Sequence, residues 1–161
     1  MSNLIDLEEN PASSENSTEQ PVSYVERFAL ERKNWTDTVK NIAARFKNVE
    51  DLIDVQVDLY SERQRATDYV HELSVLYSRL KKLHLAEWKK AYESLSLDQD
   101  FRYNEKEKSK LADEKSSISK LKLEILQTHV DFFRETVKTI DNMIFGVKHR
   151  LEIEDFRRGN K

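Results

Sequence analysis

Cysteine is absent from the chain, and glycine and proline nearly so. Without thiols there is no disulfide framework and no thiolate metal site. Only Gly146 and Gly159 occur, so no glycine-rich loop that cradles phosphates can be built. Both prolines, Pro11 and Pro21, lie near the N-terminus, and everything after them can run as long helices with few breaks. No apolar run approaches the roughly 18 residues of a membrane span. The first residues lack the basic and apolar regions of a signal peptide, so the expected location is the cytoplasm. Asn16-Ser17-Thr18 and Asn34-Trp35-Thr36 match the glycosylation sequon, but without secretion they are chance matches.

What is present is charge. Of the 161 residues, 35% are charged and 38% hydrophobic, a balance that suits narrow apolar stripes on solvated helices. The length suffices for one domain with a modest core. The formal net charge of −3 is unevenly spread: residues 1–24 hold no Lys or Arg but contain Asp6, Glu8, Glu9, Glu15 and Glu19. That stretch carries about −5, leaving about +2 on the rest. Residues 1–21, rich in Ser, Asn, Glu and Pro, read as a disordered acidic arm. Leu4, Ile5 and Leu7 form a short apolar cluster in it, either merely tolerated or a docking motif.

Enzyme motifs are missing. The histidines are His71, His84, His129 and His149, and no two are three or four apart, so no helical metal pair exists. His71-Glu72 begins like a zinc protease motif, but Val75 stands where the second histidine belongs. Carboxylates are plentiful, yet beyond the acidic arm each lies near a Lys or Arg, as on a solvated helix face. The expectation is a non-enzymatic protein without metal or cofactor.

The chain from residue 22 to 161 reads as one all-α unit. Residues 22–47 place Phe28, Trp35, Val39, Ile42 and Phe46 on a broad helical face. Residues 48–59 are ambiguous: Ile53, Val55, Val57 and Leu59 alternate like a strand, while Leu52, Val55 and Leu59 fit a helix, which we favour. Residues 60–95 form one long helix with a heptad stripe at Tyr69, Leu73, Leu76, Leu80 and Leu83. The stripe fails at Glu87 and Lys90, so the far end leaves the core. Residues 96–104 are the expected loop. A last helix spans about 105–157, where Leu123, Leu126, Val130, Phe133, Val137, Ile140, Ile144, Val147 and Leu151 alternate steps of three and four. That is a coiled-coil seam, expected to hold protomers together. A second stripe of Ile118, Leu121, Ile125 and Phe132 implies a second helical neighbour. A helical hairpin assembling into a bundle or closed homo-oligomeric ring follows, because one hairpin has little core for its length. The pattern does not say which neighbours belong to the same chain. Gly146, inside the last helix, costs roughly 1 kcal/mol relative to Ala; close approach of another backbone or a gentle kink would account for it.

One charge cluster stands out. Arg79, Lys81, Lys82, Lys89 and Lys90 are opposed only by Glu87, with Trp88 and Tyr92 interleaved. Cations that track phosphates beside aromatics that stack bases are the parts of a single-strand binding surface. The alternative is a solvated helix face with Trp88 packed in an interface. A second cluster of Lys148, Arg150, Arg157, Arg158 and Lys161 is diluted by Glu152, Glu154 and Asp155, and a helix C-terminus accounts for most of it.

These residues resemble a family. Leu59-Tyr60-Ser61, a helical stretch, then Lys81-Lys82 is similar in spacing to the central helix of the UvsY-type recombination mediators of T-even-like bacteriophages. Tyr92 falls where that family carries an aromatic pair. Tyr103 with the Glu/Lys-rich stretch to Lys115, the helix from Ile118, and Phe145-Gly146-Val147-Lys148-His149 with Phe156 and Gly159 are also similar. The resemblance covers roughly residues 48–161. It implies a small helical protomer in a closed ring that binds single-stranded DNA. Such a ring helps a RecA-like recombinase replace the single-strand-binding protein, and hydrolyses no nucleotide. Lys81 and Lys82 carry over. The family's Lys-any-Arg triplet does not, since Ala86 and Trp88 stand in its place; Lys89 and Lys90 lie one turn away. The rival expectation is a coiled-coil adaptor that binds proteins only.

Overall fold

The computed structural model describes residues 21–97 and 103–159, with no strand among them. Helix α1 spans Pro21–Ala44 and ends in a 3-10 turn, Arg45–Lys47. Helix α2 spans Leu52–Leu97, α3 Glu105–Lys115 and α4 Ser117–Gly159. The all-α expectation holds. Most of the acidic arm, with Leu4, Ile5 and Leu7, the centre of the expected 96–104 loop, and Lys161 lie outside the described residues.

Local chemistry sets the boundaries. Before α2 the Asn48 side chain accepts from the Glu50 N–H and donates to Asp51, turning the chain. The ambiguous stretch after it is helical, as favoured: Leu52, Val55 and Leu59 have no exposure, whereas Ile53 and Val57 are 66% and 63% exposed. Helical period, not alternation, sorts inside from outside there. Helix α3 begins with a capping box. Asn104 Oδ1 accepts from the Glu107 N–H, and Glu107 Oε2 accepts from the Asn104 N–H, both at 2.9 Å. This satisfies two N–H groups that a helix start otherwise leaves without partners.

The expected single helix over 105–157 is divided at Ser116. Ser116 is buried, and its hydroxyl donates to the Ala112 carbonyl at 2.8 Å. Serine back-bonding of this kind bends a helix. The backbone hydrogen bonds from Ser116 to Ala112 and from Lys120 to Ser116 persist across the bend, so α3 and α4 form one bent rod.

Helix α2 packs antiparallel to that rod. Arg63 pairs with Asp141, His84 hydrogen-bonds Ser119, and Trp88 bonds Asp113, each step up α2 meeting a step down its partner. Helix α1 folds back over the α2–α4 groove. Arg45 pairs with Asp58, and Arg65 lies 4.3 Å over the Trp35 ring. The Arg150 guanidinium donates to the Phe46 carbonyl, tying the α1 end to α4. Helix α1 therefore runs antiparallel to α2 and parallel to α4.

The seam from Leu123 to Leu151 lies inside this three-helix bundle. Leu123, Leu126, Val130, Phe133, Ile140 and Val147 are buried, and Val137, Ile144 and Leu151 pack against the same core. Their neighbours are Leu52, Val55, Leu59, Ala66, Leu73 and Leu76 of α2 and Phe28 and Ile42 of α1. Each large apolar side chain so buried contributes about 1.5–3 kcal/mol. A second copy could reach these residues only if the bundle opened. The reason is α1, which supplies within the chain the second neighbour that the stripes require. Of the second stripe, Ile125 and Phe132 pack beside Phe28, whereas Ile118 and Leu121 are exposed.

Candidate nucleic-acid interface

The cations singled out in the sequence sit on the distal half of α2, from beside the first turns of α1 at Leu80 outward. Arg79, Lys81, Lys82, Lys89 and Lys90 are all exposed. At 1.5 Å per residue, Lys81 and Lys90 are roughly 14 Å apart along the axis. Lys82 and Lys89 are seven apart and so share one line of the helix. Arg79 and Lys90 lie on a neighbouring line, towards the α1 side. Lys89 approaches Glu93 at 3.7 Å. Lys81 and Lys82 make no ion pair among the described residues. The exposed ammonium groups thus spread around the solvent side of α2, with Lys82 and Lys89 at its centre and Lys81 and Lys90 at opposite edges.

The two aromatics of the cluster are differently placed. Trp88 is half-buried, and its indole N–H donates to Asp113 Oδ1 at 2.8 Å. Its ring stacks on Tyr92, with centroids 5.2 Å apart and planes 15° apart. The Tyr92 hydroxyl donates to Glu105. That bond raises the Tyr92 pKa and, with Lys108 nearby, lowers that of Glu105. Trp88 and Tyr92 therefore join α2 to α3, and the lysines rather than the rings face outward. Trp88 lies one heptad from Lys81, on a line that turns towards α3.

The C-terminal cluster is drawn into local bonds. Arg150 holds the Phe46 carbonyl, and Arg157 pairs with Glu154 at 3.1 Å. Arg157 and Arg158 lie in the last turn of α4, where cations favour the helix dipole.

A polar site that sequence reasoning missed lies between the three long helices. His129 has no exposure, and its Nε2 is 3.0 Å from Glu31 Oε2. The Tyr69 hydroxyl donates to the same oxygen at 2.6 Å. Arg32 Nη1 lies 3.4 Å from His129 Nδ1. The Nε2 nitrogen faces the Glu31 carboxylate, which can only accept, so Nε2 is the nitrogen placed to donate to it. Phe28 stacks on the imidazole, centroids 4.0 Å apart. Burial tends to raise the Glu31 pKa, but the His129 and Tyr69 hydrogen bonds and the charges of His129 and Arg27 outweigh it and hold it below its ordinary value. Burial, then the Glu31 carboxylate, push the Tyr69 hydroxyl up. The one signal in the sequence was a histidine within the apolar seam, between Leu126 and Val130. The site joins α1 to the hairpin. Among the described residues no group of three or more His, Asp or Glu is placed to hold a metal ion, and no helix is long and apolar enough to cross a membrane.

Compared with known protein families, curated proteins and solved structures, the chain matches none.

Proposed function

We propose that this protein is an oligomeric recombination mediator that binds single-stranded DNA and helps load a RecA-like recombinase in place of single-strand-binding protein. The observation that supports the reading is the set of exposed cations on the distal part of α2, Lys82 and Lys89 on one line with Arg79 and Lys90 to one side of it and Lys81 to the other. Phosphates neutralised by such groups release counterions, so binding weakens as salt rises. The sequence resemblance of residues 48–161 supplies the recombination context. A patch of this size binds weakly alone; several patches linked in one assembly gain through effective concentration. Because the seam is internal, copies would meet through exposed apolar side chains such as Ile53, Val57, Phe145 and Phe156. No step in this role needs a catalytic group.

A protein-binding adaptor is the second reading. It is favoured by Trp88 and Tyr92, which bond to α3 rather than stand free for bases. A fluorescent single-stranded oligonucleotide, titrated at low and high salt alongside light scattering, separates the two. The mediator reading expects an oligomer whose affinity falls with salt. In the Lys81→Ala, Lys82→Ala variant affinity should drop, and the log–log salt slope should shrink by about 1.4 if both lysines meet phosphates. An oligomer indifferent to the oligonucleotide at low salt would overturn the mediator reading and leave the adaptor.

A further inference from the structure

The groove that holds α1 continues past the start of α1, where its apolar side chains are exposed among the described residues. Tyr24 and Phe28 close over Leu80, Ile125 and Leu126, with Lys122 beside them. Leu76 lies under this cover, 5% exposed, while Leu83, one heptad further along the same line of α2, is 55% exposed. The facing helix repeats the contrast. Ile125 packs beside Phe28, whereas Ile118, one heptad before it, and Leu121 are 65% and 43% exposed. Arg79 lies four residues before Leu83, Lys90 seven after it, and Lys122 is 5.9 Å from the Tyr24 ring. Glu87 is the one carboxylate on that stretch of α2. The strip is thus apolar, with Arg79, Lys90 and Lys122 along it and with Asp113, Glu114 and Glu124 beside Lys110 and Lys120 on the outer side of Leu121, and points away from the first residue of α1 towards the α2–α3 end of the hairpin.

The segment that precedes α1 has the complementary chemistry. Residues 1–20 carry Leu4, Ile5 and Leu7, five carboxylates and no Lys or Arg. We propose that this arm docks in cis along the strip, its leucines and isoleucine against Leu83, Ile118 and Leu121 and its carboxylates towards Arg79, Lys90 and Lys122. Reach is ample. An extended chain covers about 3.3 Å or more per residue, so the residues between Leu7 and Pro21 can span more than the roughly 15 Å of α2 between Leu80 and Lys90. The tether favours the arm of the same chain, because a short linker holds its end at millimolar effective concentration. In the function proposed above, the docked arm would screen Arg79 and Lys90 from nucleic acid. The docking itself does not depend on that function.

The absence of native cysteine makes the test direct. A Ser13→Cys chain, otherwise complete, is labelled with a nitroxide, and the methyl signals of Leu, Ile and Val are followed by NMR without nucleic acid. The expected result is loss of intensity at Leu83, Ile118 and Leu121, with Ile53 and Val57 unaffected. Adding Leu83→Ser and Leu121→Ser, both at exposed positions and checked by circular dichroism, should restore Ile118. Broadening that is absent, uniform, or centred on Ile53 would overturn the proposal. So would broadening seen when nitroxide and isotope labels are on different copies, which would assign the strip to another chain's arm. Since no oligonucleotide is present, neither result is confounded with success or failure of DNA binding.

Discussion

His129 Nε2 and Glu31 Oε2 stand 3.0 Å apart across the α1–α4 interface, where the histidine has no contact with solvent. The pair fixes α1 on the hairpin at one register, because a buried polar group left without its partner costs about 1–3 kcal/mol. Glu31→Ala removes the acceptor of both His129 and Tyr69. It is expected to destabilise the bundle by an amount in that range. Trp35, which packs edge-on to Phe133 with centroids 5.4 Å apart, reports on α1 docking when Trp88→Phe silences the other indole. Urea unfolding followed by Trp35 emission measures the loss. An unchanged midpoint would show that apolar contacts alone set the position of α1.

The same carboxylate makes stability depend on pH. Its pKa in the folded chain is lowered, so the unfolded chain takes up a proton first as pH falls. The Glu31 contribution is therefore fully present above the ordinary carboxylate range. It is lost progressively as pH falls through that range to the lowered folded value. Melting temperatures between neutral pH and acid should fall more steeply for the native chain than for Glu31→Gln. Equal slopes in the two proteins would assign the acid sensitivity to other carboxylates.

The internal position of the seam separates folding from assembly. Ile140 has no exposure, and Ile140→Ala is expected to cost about 2–5 kcal/mol, the range for truncating a large core side chain. Phe145 and Phe156 are each 72% exposed. Changing both to Ser should leave the melting temperature nearly constant while lowering the mass found by light scattering. A lower melting temperature with unchanged mass would indicate that these rings support the bundle rather than contacts between copies.

The hairpin was legible because period and punctuation agree. Steps of three and four run unbroken from Leu123 to Leu151, and no Pro or Gly interrupts Leu52 to Leu97. The second stripe correctly demanded a second neighbour at Ile125 and Phe132. Its identity was not legible, since an apolar stripe is equally satisfied by a helix of the same chain or of another. The bend at Ser116 was hidden because Ser116, Ser117 and Ser119, beside a Lys/Glu-rich stretch, carry no period that marks which of them is buried. The Glu31–Tyr69–His129 site was hidden for a different reason. Its members are 38 and 98 residues apart in the pairs that bond, and only the docking of α1 brings them together. For the basic cluster, exposure of the lysines followed from the failing stripe at Glu87 and Lys90. The attachment of Trp88 to Asp113 required knowing that α3 folds back along α2.

Under the proposed oligomer, Gly146 is a position where stability and assembly can be tested together. It lies within α4, and a Cβ built there would meet nothing within 4 Å. Nothing in the protomer therefore requires glycine, and Gly146→Ala should raise stability by roughly 0.5–1 kcal/mol through helix propensity. The neighbouring Phe145 is exposed and stacks towards His149, centroids 6.5 Å apart. If a second backbone approaches α4 beside this ring, the added methyl will hinder it. The oligomer would then dissociate at a higher protein concentration even as the melting temperature of the protomer rises. Light scattering over a dilution series, paired with thermal unfolding, reads both effects. Opposite changes would place a contact between copies at Phe145–Gly146, whereas greater stability with unaltered assembly would rule out a close approach of backbones there.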